Sequence, residues 1–208
     1  MQTTNITLPL DITTVKGFLA PDEGTALYTT ALKGAALGPC LEIGSYCGKS
    51  TVYLASACQQ SNNLLFAVDH HRGSEEHQLG EEYHDPELYD AHAGKMDSFR
   101  SFRHTLARAQ LEDCVVPIVA ASTQAARFWT TPLSLVFIDG GHSIEAALAD
   151  YRSWAGHVVR GGYLAIHDVF PNPADGGRPP YEIWLLAQQS GLFEALPLIN
   201  TLGLLKRL

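Results

Sequence analysis

Short apolar runs alternate with amphipathic segments along most of the chain, and most of the runs end at a glycine or an acidic residue. Five such runs are CLEI (40–43), LLFAV (64–68), VVPIVA (115–120), LSLVFI (133–138) and YLAI (163–166). Uninterrupted apolar runs of this length are typical of parallel strands that are buried on both faces. The segments between them space their apolar residues as helices do, so the pattern predicts an α/β fold around a mostly parallel sheet.

The two ends of the chain depart from this alternation. Residues 1–20 show no periodic pattern and predict an irregular segment. Helices are expected from Pro21 onward, from Lys49 onward, and over 95–112, 123–129, 143–158 and 181–191. The last two apolar segments, 193–200 and 201–208, are joined too tightly for a helical crossover and must pair antiparallel. We therefore expect seven strands, closed by an antiparallel C-terminal hairpin and flanked by helices.

One internal segment, 71–97, breaks the pattern. It is polar, rich in histidines and acids, and interrupted by Gly and Pro, and it is too long to be a plain connection. We interpret it as a lid or substrate-recognition insert within a single domain that spans residues 1–208.

Composition narrows the class of partner. The 208 residues are 46% hydrophobic and 17% charged, which is typical of one globular domain. The net charge of −8 argues against nucleic acid or an anionic membrane as the main partner and favours a small molecule. The four cysteines form no C-x-x-C pair and the N-terminus carries no secretory signal, so we expect reduced thiols and a cytoplasmic protein. A homodimer is the default assembly.

The turn after the first strand, in LEIGSYCGKST (41–51), is the most informative motif. The sequence GKST is shared with phosphate-binding P-loops, but only three residues separate Gly44 from Gly48 where a P-loop has four. The motif G-x-G-x-x-G of dinucleotide-binding enzymes is also missing, which argues against an NAD-dependent oxidoreductase. What remains is an acid, Glu42, on a strand before a two-glycine turn, followed by a helix whose first N–H groups are free. Asp69, at the end of the next strand, is placed to bind a ribose diol.

Two later strands also end in polar residues. FIDGGH presents Asp139 and His142, and GGYLAIHD presents His167 and Asp168. The carboxyl ends of neighbouring parallel strands meet at one edge of a sheet, where open α/β sheets place their sites.

These four motifs, in this order, make residues 20–208 resemble the class I S-adenosylmethionine (SAM) methyltransferases. The closest resemblance is to the branch with small metal-assisted O-methyltransferases and cephalosporin-hydroxylase-like proteins. The resemblance implies SAM as cofactor and a small-molecule acceptor, with a hydroxyl as the methylated group. The residues that it implies for cofactor binding are Glu42, Gly44, Ser45, Tyr46, Gly48, Ser50, Asp69, His70, Ser122 and Asp139. An alternative is a protein of the same fold that binds the nucleoside without catalysing transfer.

The resemblance also implies a divalent-metal site at Asp139, His167 and Asp168. Related members usually carry Asp or Glu at the position of His167, so the imidazole favours manganese, iron or zinc over magnesium, or no metal at all. The catalytic residues are then Asp139, His142 and His167, because without a metal either histidine is a candidate general base. Structural roles for the two histidines, as a helix cap or a partner within the strand ends, remain alternatives.

Overall fold

A computed structural model of the protein describes residues 6–74, 80, 85–141 and 143–208. The helices are α1 (Pro21–Gly34), α2 (Lys49–Gln60), α3 (Phe99–Ala109), α4 (Ser122–Ala126), α5 (Ile144–Trp154) and α6 (Pro179–Gln189). Within these ranges, no helix is both long and apolar enough to cross a membrane. The strands are β1 (Cys40–Ile43), β2 (Leu65–Val68), β3 (Tyr89–Asp90), β4 (Lys95–Met96), β5 (Val115–Ile118), β6 (Leu133–Ile138), β7 (Val158–Ile166), β8 (Phe193–Ala195) and β9 (Gly203–Arg207).

Seven of these strands form one sheet in the order β5-β2-β1-β6-β7-β9-β8. The strands from β5 to β7 pair in parallel, whereas β9 pairs antiparallel with both β7 and β8. The predicted fold, a mostly parallel sheet of seven strands with an antiparallel C-terminal hairpin, is therefore confirmed. The remaining two strands, β3 and β4, form a small antiparallel pair inside the 71–97 segment.

The sheet is covered on both faces, which explains the uninterrupted apolar runs. Along β1, Cys40 packs into the cluster that contains residues of α1, α2 and α3, whereas its neighbour Leu41 packs into the cluster that contains residues of α5 and α6. The same alternation continues in β6, whose six residues are all buried. Successive side chains of a strand point to opposite faces, so a strand between two helical layers is apolar at nearly every position. The polar exceptions, Glu42 and Ser134, are buried with hydrogen-bond partners.

The parallel ladder continues past the strand ends and fixes the residues that follow them. The Asp69 N–H donates to Ile118 O (3.1 Å), and the Gly44 N–H donates to Val68 O (3.0 Å). The next two rungs join the Asp139 N–H to Ile43 O (2.9 Å) and the His167 N–H to Ile138 O (3.0 Å). Four strand tips therefore lie side by side in one hydrogen-bonded row.

Several predicted helix boundaries are wrong, and two of them differ by four residues. The helix expected from residue 95 begins at Phe99, because Lys95–Met96 pairs with Tyr89–Asp90 and the Asp97 carboxylate accepts the Phe99 N–H at 3.0 Å. The helix expected to run to residue 158 ends at Trp154, and β7 already begins at Val158. A register shift between β6 and β7 accommodates the extra length of the longer strand.

Candidate active site

The turn after β1 lies directly against the end of β6. Gly44 has φ +85°, and a Cβ atom at this position would lie 1.9 Å from the carbonyl oxygen of Asp139. Gly48, with φ +93°, precedes α2, and its Cβ would lie 3.3 Å from a Thr105 methyl group. Only glycine satisfies both the backbone angle and the close approach at residue 44, so the turn packs directly against the backbone at the end of β6.

Glu42 lies beneath this turn and is fully buried. Its two oxygens accept hydrogen bonds from the hydroxyls of Ser50 (2.5 Å) and Thr51 (2.6 Å), both in the first turn of α2. Burial raises the pKa of Glu42 to about 7, despite these two hydrogen bonds. The hydrogen bond between Glu42 and Ser50 thus connects β1 to α2. The buried hydroxyl of Ser45 lies close to the same carboxylate and, like Ser50 and Thr51, acts to lower the pKa of Glu42.

Asp69, at the tip of β2, holds the same turn from the other side. One carboxylate oxygen accepts the Tyr46 N–H (2.8 Å), and the other accepts the His71 N–H (2.7 Å). Tyr46 has the unusual φ of +46°, and this hydrogen bond helps to fix it. Asp69 remains partly exposed, and the neighbouring His70 is exposed. A carboxylate offers about four acceptor positions, so two hydrogen bonds do not exhaust it.

The tips of β6 and β7 bring together a buried histidine and a chain of carboxylates. His167 is 5% exposed, and its Nδ1 lies 3.1 Å from Asp139 Oδ1 and 3.5 Å from Asp168 Oδ1. Its other ring nitrogen, Nε2, lies 3.1 Å from Oε2 of Glu23, in the first turn of α1. One imidazole therefore bridges a buried acid on one side and two partly exposed acids on the other.

This arrangement shifts the pKa of both buried partners. Burial alone lowers the pKa of His167, but the nearby Asp139 charge and the contacts with Asp139, Asp168 and Glu23 raise it well above its usual range. Burial raises the pKa of Glu23, but hydrogen bonds from His167, Ala20 and Thr201 outweigh it and bring the pKa to about 2. Both shifts favour a charged pair, with the protonated His167 ring held between carboxylates.

The same residues are a candidate metal site. Asp139, His167 and Asp168 each offer one ligand atom, and the three atoms lie within 4.8 Å of one another. Among the described residues, this is the one group of three or more histidine, cysteine or acidic side chains that could hold a metal ion. The set combines two carboxylates with one imidazole, a mixture that suits manganese, iron or zinc better than magnesium. The chemistry of the donors therefore fits a divalent ion.

The predicted adenine contact, Ser122, is turned inward. It is the first residue of α4, and its hydroxyl accepts the Trp154 Nε1–H (2.8 Å) and bonds to Asp150 of α5. The N-cap of α4 is Ala121, so Ser122 does not cap the helix. Burial raises the pKa of Asp150. Its carboxylate also lies under Gly140, where a Cβ would be 2.6 Å from Asp150 Oδ2.

Sequence reasoning missed Glu23 and Asp150, which are both buried at the site. Glu23 is the third residue of a helix that starts Pro-Asp-Glu, and acids are common there because they offset the helix dipole. Asp150 is an acid within an amphipathic helix. Neither pattern signals a site, although both acids lie on helices that flank the strand tips. The predicted catalytic residue His142 lies outside the described residues.

The strand order, the antiparallel end and the glycine turn after β1 define the fold of the class I SAM-dependent methyltransferases, which confirms the predicted resemblance to that class. The chain belongs to the methyltransferase domain family, whose sequence profile matches residues 41–169. Membership in this family supports SAM-dependent methylation.

Several solved structures share the fold at low sequence identity. The O-methyltransferase NovP is 14% identical with a TM-score of 0.69, over 89% of this chain and 79% of NovP. An S-adenosylhomocysteine (SAH) complex of the Podospora anserina methyltransferase PaMTH1 is 13% identical with a TM-score of 0.64, over 92% of this chain and 80% of PaMTH1. Cofactor-bound Rv0187 from MTB is 16% identical with a TM-score of 0.63, over 93% of this chain and 84% of Rv0187.

Proposed function

We propose that the protein transfers the methyl group of SAM to a hydroxyl group of a small-molecule acceptor, with a divalent ion at Asp139, His167 and Asp168. The observation that carries this proposal is the row of strand tips. The glycine turn, the Asp69 carboxylate and the Asp139–His167 pair lie on consecutive strands at one edge of the sheet. This arrangement supports a nucleoside site next to a set of metal ligands.

The residues around the turn fit a nucleoside carrying a methionine tail. Gly44 lets the turn pack directly against the Asp139 backbone, which brings the end of β1 next to the proposed metal ligands. Asp69 retains acceptor positions for a ribose diol after binding the Tyr46 and His71 N–H groups. We assign the methionine end to residues 44–48 and the ribose to Asp69.

Methyl transfer from a sulfonium needs an aligned and deprotonated acceptor oxygen. A divalent ion, when bound, supplies the Lewis acidity that lowers the pKa of the acceptor hydroxyl. The side chains of Asp139 and Asp168 are 24% and 29% exposed, so these carboxylates could hold an ion within reach of an acceptor oxygen, and the hydroxyl proton would leave to solvent. We do not assign His167 as the general base, because its raised pKa favours the protonated ring, which has no lone pair with which to accept a proton.

We assign recognition of the acceptor to the 71–97 segment, as part of a single domain. Leu88 and Met96 of this segment are buried against Cys47 of the glycine turn, next to Tyr46. Lys16, in the N-terminal segment, pairs with Asp85 (2.5 Å) and Glu87 (2.6 Å). These contacts support an insert that borders the methionine end of the crevice, where the acceptor must approach.

Calorimetric titration with SAH tests the proposal. We expect binding in the micromolar range, which corresponds to about −8 kcal/mol. In separate titrations with Mn²⁺, Zn²⁺ and Mg²⁺, we expect a metal heat that is lost in Asp168→Ala while SAH binding persists. The matched control is Asp175→Ala, an exposed aspartate in the loop before α6, which should bind metal like the wild type.

Each outcome of these titrations has a distinct meaning. Absence of SAH binding would refute the assignment of the glycine turn as a nucleoside site. SAH binding without a metal heat would refute the metal site alone and favour a metal-free mechanism or a non-catalytic nucleoside-binding protein. If both ligands bind, a screen of hydroxylated acceptors with radiolabelled SAM identifies the product.

A further inference from the structure

We propose that Glu23 is a positioning residue, which holds the His167 ring with Nε2–H directed toward α1 and Nδ1 directed toward Asp139 and Asp168. The consequence for metal binding rests on the proposed function. The orientation itself does not, because it follows from contacts between residues of the metal-free protein. Glu23 comes from α1, which precedes the glycine turn in the chain and contributes no residue to the predicted site.

Glu23 is 2% exposed, and each of its two carboxylate oxygens has two hydrogen-bond donors. Oε2 accepts the Ala20 N–H (3.0 Å) and lies 3.1 Å from His167 Nε2. Oε1 accepts the backbone N–H (2.9 Å) and the hydroxyl (2.8 Å) of Thr201, which lies between β8 and β9. A buried carboxylate with four donors has one stable orientation, so it offers His167 a fixed acceptor.

A fixed acceptor at Nε2 determines which ring nitrogen carries the proton and which one has a free lone pair. A neutral imidazole carries one N–H and one lone pair, and a carboxylate partner places the N–H on the nitrogen that it faces. Asp139 and Asp168 face Nδ1 in the metal-free protein, but when their oxygens bind a cation Glu23 is the carboxylate that still faces the ring. The N–H then stays on Nε2, and Nδ1 is the nitrogen available to that cation. Carboxylate–histidine–metal arrangements of this kind orient the ring and raise the basicity of the ligating nitrogen.

Other contacts do not make Glu23 redundant. The Phe137 ring meets His167 edge-on with centroids 6.3 Å apart, which limits the ring plane but does not distinguish one nitrogen from the other. Asp139 and Asp168 both approach Nδ1. Among the described residues, Glu23 is the one hydrogen-bond partner of Nε2, so a ring flip would remove the acceptor from the Nε2–H.

Three variants separate positioning from a purely structural role. Glu23→Met keeps the approximate volume and removes the acceptor. Glu23→Gln keeps an amide oxygen that can still face Nε2 but removes the charge that strengthens the hydrogen bond. Thr201→Val removes the hydroxyl donor from the far oxygen, Oε1, and leaves the His167 contact untouched. It serves as the matched control for loss of a buried hydrogen bond at Glu23.

The primary measurement is nuclear magnetic resonance of the imidazole N–H protons in the metal-free protein at one fixed pH. The His167 signals are identified by their loss in His167→Asn. We expect the wild type to show a protected Nε2–H, with exchange faster in Glu23→Gln and fastest in Glu23→Met. The Nδ1–H beside Asp139 provides a reference within the same ring, and Thr201→Val should leave both protons protected. If Glu23→Met does not fold, the Nε2–H exchange rates of the wild type and Glu23→Gln still test whether Glu23 holds this proton.

Titration with Mn²⁺ provides the second measurement. We expect Glu23→Met to lower the Mn²⁺ affinity about 10- to 100-fold, which is typical for loss of a residue that orients a metal ligand. Glu23→Gln should recover part of the affinity, and SAH binding should be unchanged in all three variants. Identical ring-proton exchange in wild type and Glu23→Gln, or equal effects of Thr201→Val and Glu23→Met, would overturn the proposal. If the wild type binds no Mn²⁺, the metal site fails, while the ring-proton comparison still tests Glu23.

Discussion

Gly44→Ala should lower the free energy of unfolding by about 3 kcal/mol or more and abolish SAH binding. Two costs add at this position. A side chain at φ +85° is disfavoured by about 1–2 kcal/mol, because the left-handed region is crowded for L-residues. In addition, the new methyl group would lie 1.9 Å from Asp139 O, so the ends of β1 and β6 must separate, at an overpacking cost of about 1–3 kcal/mol.

Gly191→Ala is the matched control for this prediction. Gly191 also has a positive φ, +69°, but no atom lies within 4 Å of the position that a Cβ would occupy. This variant should show only the backbone cost of about 1–2 kcal/mol, with SAH affinity unchanged. Urea unfolding and SAH calorimetry on both variants separate the two costs. Equal losses of stability in both variants would contradict the close approach of Gly44 to Asp139.

The fold was largely predictable because burial on both faces leaves a strong signal in the sequence. A strand such as β6, buried along its full length, is apolar at every position except Ser134, and the tight connection within 193–208 allowed only antiparallel pairing of the last two strands. The helix ends were less predictable. Whether Lys95–Met96 begins a helix or pairs with Tyr89–Asp90 depends on a contact with a segment that carries no pattern of its own.

The site was predictable only where its residues end strands. Asp69, Asp139 and His167 follow apolar runs, and the parallel ladder then places them side by side. Glu23 lies 144 residues from His167 in the chain, and the two meet only because α1 packs across the sheet. The inward hydroxyl of Ser122 likewise depends on Asp150 and Trp154, which belong to another helix. Contacts between a helix and a strand tip carry no periodicity that a single sequence displays.

Glu42→Gln should make the protein more stable at pH 8 and remove a pH dependence between pH 4.5 and 7. The pKa of Glu42 rises from an ordinary value of 4.5 to about 7 on folding, because the carboxyl is buried. Between these values the native state binds a proton that the unfolded chain has released, so the free energy of unfolding falls as the pH rises. A shift of this size corresponds to a loss of about 3 kcal/mol in the free energy of unfolding between pH 4.5 and 7. Above pH 7 this loss does not increase further.

The glutamine variant isolates this contribution because its amide can replace the carboxylate. The hydroxyls of Ser50 and Thr51 both donate and accept, so one can turn to accept from the new NH₂ group while the other still donates. We expect the variant to gain about 1–3 kcal/mol over the wild type at pH 8 and nothing at pH 4.5. Urea unfolding at intervals of pH measures the difference, with Glu194→Gln, an exposed site on β8, as the control. A constant difference between variant and wild type across this pH range would show that Glu42 does not carry the shifted proton.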